Sequence, residues 1–231
     1  MAEEGYQGCS LAEAVERRDE RCLAITFDDG GISQYEYAAP ALRARGMTAT
    51  FFVTTDWIGA PGFMSWGQLR ELRDSGMSVQ SHTRSHPFLS ELSLQRLRDE
   101  LLGSKAVLDA ELGQDTTQIS LPGGDPPRRS LRPILNQAGY RVVACSRWGV
   151  NRGGLDSVGD RSTWIRRCTM RGSVLDEQIR RVVAGDPWLV LRRAGREYLL
   201  NAIRRSFGAS RYAAWRRRFL DRSTKTLFGP N

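Results

Sequence analysis

At 231 residues, with 40% hydrophobic and 26% charged residues, the chain has an ordinary globular composition and the length of one α/β-barrel-sized domain. It contains no run of about 18 apolar residues that could form a spanning helix, and no internal repeat or low-complexity tract. The formal charge of +8 sits in the C-terminal tail: from Arg192 onward there are eleven Lys/Arg against two Asp/Glu, which leaves residues 1–191 near neutral. The basic pI therefore does not call for a basic substrate channel.

Met1-Ala2-Glu3-Glu4 is acidic and lacks the basic and apolar regions of a signal peptide, so residues 1–21 read as a lead-in. On that reading the protein is cytoplasmic or peripheral to a membrane, and exported if a further segment precedes it. Cys9, Cys22, Cys145 and Cys168 show no CxxC spacing and no neighbouring histidine, so they are poor metal ligands. A disulfide framework is not expected in a domain of this size, and Cys22 and Cys145 read as buried thiols.

Apolar strands then alternate with amphipathic helices. A strand over 23–27 leads to a helix over 34–45 that Gly46 ends in the C′ position, and a second strand covers 49–53. Ser65 and Gln68 form a capping box for the helix carrying Leu69 and Leu72, which Gly76 closes. The third strand, 77–80, runs into the histidine segment. A helix from Ser93 keeps Leu97, Leu101, Leu108 and Leu112 on one face and stops at Gly113. A strand over 118–121 enters Pro122-Gly123-Gly124-Asp125. A helix over 129–138, strands over 140–144 and 164–170, a helix over 175–184 and a last strand over 188–191 complete the order. The alternation predicts a parallel sheet, either a barrel or a doubly wound open sheet, with the site at the C-terminal strand ends in both cases.

Two polar clusters fall at such ends. Asp28 and Asp29 close the first strand, and adjacent side chains on a strand face opposite ways, so the two acids can take separate tasks. The chain has only two histidines, His82 and His86, spaced so that a helical turn would bring both imidazoles to one side. One carboxylate with two imidazoles makes three metal ligands and leaves a position open, as in catalytic rather than structural zinc sites. Taken separately, an Asp-Asp-Gly turn or a pair of surface histidines would need no such explanation.

Thr26-Phe27-Asp28-Asp29-Gly30 and His82-Thr83-Arg84-Ser85-His86 together resemble the polysaccharide deacetylase family, the NodB-homology domain of carbohydrate esterases. Ala49-Thr50-Phe51-Phe52-Val53 and Met64-Ser65-Trp66 are similar to that family's second strand and the loop after it, and the resemblance runs from about Cys22 to Gly185. It implies a distorted, TIM-barrel-like (β/α)7 barrel over residues 22–191; the charge and helical spacing of residues 192–231 read separately as a basic amphipathic helical tail. It also implies a divalent metal on Asp29, His82 and His86, zinc by default with cobalt or another ion as alternatives, and Asp28 as the base. Gly123 falls in the third motif, where its backbone N–H would donate to an oxyanion; an ordinary turn is the competing reading. The implied activity is hydrolysis of N-acetyl groups on an amino-sugar polysaccharide, oligosaccharide or lipid-linked sugar. The rivals are an O-acetyl esterase acting on xylan or exopolysaccharide, and a carbohydrate-binding protein without turnover.

The chain departs from the family pattern in three places. Ser120 stands near where an arginine usually braces the base, Gly123 replaces an aromatic, and no histidine follows His86; the segment matching the late histidine is 188–191. Arg147-Trp148 and Arg166-Arg167 are candidates for the missing support, surface arginines being the alternative. In the tail, Leu199, Leu200, Ile203, Phe207, Tyr212, Trp215 and Phe219 recur at helical spacing among arginines. Such a helix suits an anionic membrane surface and suits covering a barrel equally well. Nothing in it resembles a nucleic-acid reading module.

Overall fold

One bent strand organises the sheet. In the computed structural model, which describes residues 5–17, 21–124, 131–149, 151, 162–170, 176–196, 208 and 211, the apolar run after Cys22 divides at Ile25. Its first half, β2 (Cys22–Ala24), pairs in parallel with β1 (Gln7–Cys9) on one side. Its second half, β3 (Thr26–Phe27), pairs in parallel with β4 (Thr50–Val53) on the other. Ile25 bridges the two, its N–H donating to the Cys9 carbonyl and its own carbonyl accepting from Thr50, both at 2.9 Å. From β3 and β4 the sheet continues through β5 (Ser78–Ser81), β6 (Gln118–Ser120), β7 (Val142–Cys145) and β8 (Thr163–Arg166), every pairing parallel. With β2 and β3 read as one strand there are seven among the described residues, in chain order from β1 to β8.

The period-2 alternation of these strands sorts their side chains into layers. Phe51, Val53 and Val79 face outward against Leu69 and Leu72 of α3 (Trp66–Asp74) and Leu108 and Leu112 of α4 (Leu94–Leu112). Ile119, Val143 and Trp164 face outward against Leu97 and Leu101 of α4 and Leu131, Ile134 and Leu135 of α5 (Leu131–Ala138). The inner face gathers Phe52, Val142, Ala144, Ile165 and Ala24, together with Leu11 and Val15 of α1 (Leu11–Arg17). Residues from both ends of the strand order share this one cluster, so the sheet is curled into a half-barrel around α1.

Helix ends follow the local chemistry expected of them. Ser65 and Gln68 complete a reciprocal capping box, Ser93 caps α4, and Gly113 closes it in the left-handed conformation at φ 59°. The helix expected over 34–45 forms as a π-helical turn, Gln34–Ala38, running into a short α2 (Ala39–Arg43).

Three expectations are corrected. Residues 7–17 are no mere lead-in: they supply the edge strand and the helix that fills the half-barrel. Ser10 and Glu13 form a capping box that starts α1, the Ser10 N–H donating to Glu13 Oε2 at 2.8 Å and the Glu13 N–H to Ser10 Oγ at 3.3 Å. Cys9 and Cys22 are joined by a disulfide across β1 and β2, with Cα atoms 6.3 Å apart, whereas Cys145 is a buried free thiol as expected. Residues 188–191 are helical rather than extended. After α6 (Asp176–Val183), Asp186 Oδ1 accepts the N–H groups of Trp188 and Leu189 at 2.9 and 3.1 Å and caps a helix over residues 187–196, with Pro187 in its first turn. The seventh strand therefore lies at the N-terminal edge. Most of the basic tail lies outside the described residues; near its start, Arg193 stacks on Trp148, its guanidinium carbon 5.3 Å from the ring centroid. No helix among the described residues is long and apolar enough to cross a membrane.

Candidate metal and acid–base site

Both predicted clusters arrive at C-terminal strand ends, those of β3 and β5, with β4 between them. After β3 the chain turns at Asp29, whose φ is 75°, and at Gly30, whose φ is 84°. A Cβ on Gly30 would lie 3.1 Å from Val53 Cγ1, so glycine suits both the backbone conformation and the close approach of β4. This turn separates the two acids.

Asp29 faces the histidines. Its Oδ1 lies 3.3 Å from His82 Nε2 and 3.4 Å from His86 Nε2. Ligands about 2.0–2.2 Å from a tetrahedral ion stand roughly 3.3 Å from one another; Asp29 Oδ1 keeps that spacing to both imidazoles, and all three atoms lie within 4.8 Å of one another, close enough to share a divalent cation. The His82 ring is almost fully buried, and its Nδ1–H donates to the Ser120 carbonyl at 2.9 Å. That bond fixes the ring orientation and turns Nε2 toward Asp29. His86 stacks on Trp57, with ring centroids 5.1 Å apart. The hydrogen bond from His82, partly countered by burial, holds the Asp29 carboxyl below its ordinary range. Burial, reinforced by the charge of His82, holds His86 below the ordinary imidazole value. Both shifts favour the forms that ligate a metal.

The histidines do not lie on a helical turn as expected. Residues 82–86 form a loop in which Thr83 and His86 take φ values of 68° and 60°. Among the described residues, the only non-glycine positions with positive φ are Asp29, Thr83 and His86. Backbone strain is thus concentrated at the candidate metal centre.

Asp28 points the other way, into the mouth of the half-barrel, where Arg167 just beyond β8 grips it with both nitrogens. Nη1 to Oδ1 is 2.7 Å and Nη2 to Oδ2 is 2.8 Å. Arg167 Nη2 also donates to Ser120 Oγ at 2.7 Å and to Ser146 Oγ at 3.4 Å, and Nη1 to Thr26 Oγ1 at 3.3 Å. Burial alone would raise the Asp28 pKa, but the Arg167 guanidinium, with His82 behind it, outweighs that and keeps the carboxyl below its usual range. Of the four residues considered as support for the base, the one joined to Asp28 by these bonds is Arg167. Ser120 takes the place expected of an arginine and bonds the arginine that supplies the charge. Trp148 is buried, and Arg147 contributes its backbone carbonyl to Arg167 N–H at 3.0 Å. Gly123 lies in the turn Pro122–Gly124 directly after β6, with φ 61° and an exposed surface.

Comparison with known proteins gives this arrangement its family. The profile described as polysaccharide deacetylase matches residues 16–143, and the chain belongs to that family. The Bacillus subtilis (strain 168) protein YxkH, whose name assigns it provisionally to the polysaccharide deacetylases, is 34% identical over 148 residues, covering 62% of this chain and 53% of that protein. The peptidoglycan-N-acetylglucosamine deacetylase PgdA of Listeria monocytogenes (serotype 1/2a, strain 10403S) is 26% identical over 115 residues, covering 49% of this chain and 24% of that one. Aligned segments thus span about half or less of these relatives' lengths. Among solved structures, the Streptococcus pyogenes deacetylase PplD in complex with acetate superimposes with a TM-score of 0.68 at 27% identity, over 79% of this chain and 82% of that one. The half-barrel is accordingly the distorted (β/α)7 fold of this family.

Proposed function

We propose that the chain is a metal-dependent carbohydrate deacetylase that hydrolyses N-acetyl groups on an amino-sugar polysaccharide, oligosaccharide or lipid-linked sugar. The observation carrying this reading is the adjacency of an arginine-braced carboxylate, Asp28, and a three-ligand donor set, Asp29, His82 and His86, at one end of the sheet. The donor set suits zinc first and cobalt or other divalent ions as well. When bound, such an ion supplies Lewis acidity and lowers the pKa of water. Asp28, held ionised by Arg167, accepts the proton of the attacking water on its carboxylate. The Gly123 N–H is the proposed donor to the developing oxyanion, an interaction worth about 3–4 kcal/mol where such donors have been removed. The names of PgdA and of related enzymes support an acetylated polysaccharide as substrate. The Cys9–Cys22 disulfide supports an oxidising compartment for the folded protein.

A second reading, O-acetyl esterase, is favoured by one feature: this sequence has no histidine after His86 to protonate a leaving amine, and an alkoxide leaves with less such help. Acetate release from N-acetylated chito-oligosaccharide and from acetylated xylan, measured side by side with added zinc, separates the two. The Asp28→Asn variant is expected to lose about 10²–10⁴ of the rate on the true substrate. Release at the wild-type rate by that variant would remove Asp28 as the base. Release from xylan alone would establish the esterase, and glycan binding with no acetate under zinc or cobalt would leave a binding protein.

A further inference from the structure

Helix α4 carries a buried carboxylate that the chemistry above does not use. Glu100 lies on the buried face of the helix with Leu97, Leu101, Ser104 and Leu108 and is 6% exposed. An ionised group there is costly unless it is fully hydrogen-bonded, and its partners all come from the segment between the two histidines. Glu100 Oε2 accepts the backbone N–H groups of Arg84 and Ser85 at 3.0 and 2.9 Å, and Oε1 accepts the Ser85 hydroxyl at 2.5 Å. Two successive backbone donors converging on one oxygen make a small anion nest. Here the anion is a side chain of the same protein.

The same helix grips the loop at a second point. The Thr83 N–H donates to Ser81 Oγ at 3.1 Å, and Ser81 Oγ is hydrogen-bonded to Ser104 Oγ of α4 at 2.9 Å. Ser104 in turn lies 3.3 Å from the hydroxyl of Tyr140, whose phenol burial pushes up to about 12. The loop therefore hangs from α4 through Glu100 on one side and Ser104 on the other. The positive-φ positions Thr83 and His86 flank the Arg84–Ser85 segment that Glu100 holds. A loop holding such angles relaxes unless its backbone is fixed from outside, and relaxation would carry His86 Nε2 away from Asp29 and His82.

We propose that Glu100 is a positioning residue of the metal centre, acting through the Arg84–Ser85 backbone to hold His86 in ligating geometry. This inference rests on the metal reading above, and its test keeps the two apart. Zinc affinity is measured on the full chain by competition with a chromogenic chelator, alongside the melting temperature of metal-stripped protein. Glu100→Ala is expected to weaken zinc binding about 10–100-fold, the range found for supports of metal ligands. Glu100→Gln keeps an acceptor for both N–H groups and is expected to stay within about threefold of wild type. A purely structural role would lower the melting temperature of Glu100→Ala and leave zinc affinity intact, which would overturn the proposal. Ser85→Ala removes one of the three bonds and is expected to weaken zinc binding about threefold; unchanged affinity in it, with Glu100→Ala unable to fold, would equally overturn the proposal. Zinc affinity unaltered by His86→Ala would overturn the metal reading, and this inference with it.

Discussion

At the scale of single residues, the two acids of one dipeptide are divided by their charged neighbours. Asp29 is governed by histidines and Asp28 by Arg167, whose bidentate grip matches the planar fork of guanidinium to carboxylate. Arg167→Ala removes the charge that opposes burial, so the Asp28 pKa rises and the acid limb of kcat/KM moves to higher pH; misplacement of the base lowers kcat by roughly 10²-fold. Arg167→Lys keeps the charge but loses the fork, and is expected to restore the pH profile more fully than the rate. Because the folded pKa of Asp28 lies below its unfolded value, the pair's contribution to stability is complete above the unfolded carboxyl pKa, about 3.9. It is lost as pH falls through the folded value, and Arg167→Ala should flatten that dependence. The aspartates and histidines were legible in the sequence because each pair is local. Arg167, 139 residues from Asp28, was one of four candidates until the fold chose among them. Glu100 had a readable signal, an acid on a leucine stripe, but its partners are backbone groups that no spacing rule reveals.

At the scale of elements, the long strands and helices follow their apolar period, and their caps stand where Ser65, Ser93 and Gly113 place them. The misplaced strand was at the wrong end of the chain. Trp188-Leu189-Val190-Leu191 is apolar, yet Asp186-Pro187 before it is a helix start, and as a helix it leaves Trp188 78% exposed and Leu191 64% exposed. Conversely β1 is only three residues long and α1 seven, too short for periodicity to register, although Ser10 and Glu13 carried the capping signature. The disulfide that ties β1 to β2 closes a segment of sequence separation 13, for which loop entropy predicts about 3 kcal/mol of stabilisation. Replacing Cys9 and Cys22 together by serine should lower the unfolding free energy in urea by about that amount. An unchanged midpoint would mean that the edge strand is held without the bond.

At the scale of the whole molecule, alternating strands and helices announced a parallel sheet but could not separate a curled sheet from a flat one, because the strand pattern is the same in both. What distinguishes them is the inner layer, where Phe52 and Ile165 meet around Leu11. That curl brings residues 28, 29, 82, 86, 120 and 167 to a common end. We propose this end as a single-metal hydrolytic site, which a zinc titration puts to the test. Zinc is added stepwise to metal-stripped protein while acetate release from the preferred acetylated glycan is followed. Release should rise in proportion to zinc and level off at one equivalent per chain, and His86→Ala should release essentially none over the same range. Full release by metal-stripped protein, or by His86→Ala at one equivalent, would contradict the assignment of Asp29, His82 and His86 as the metal centre.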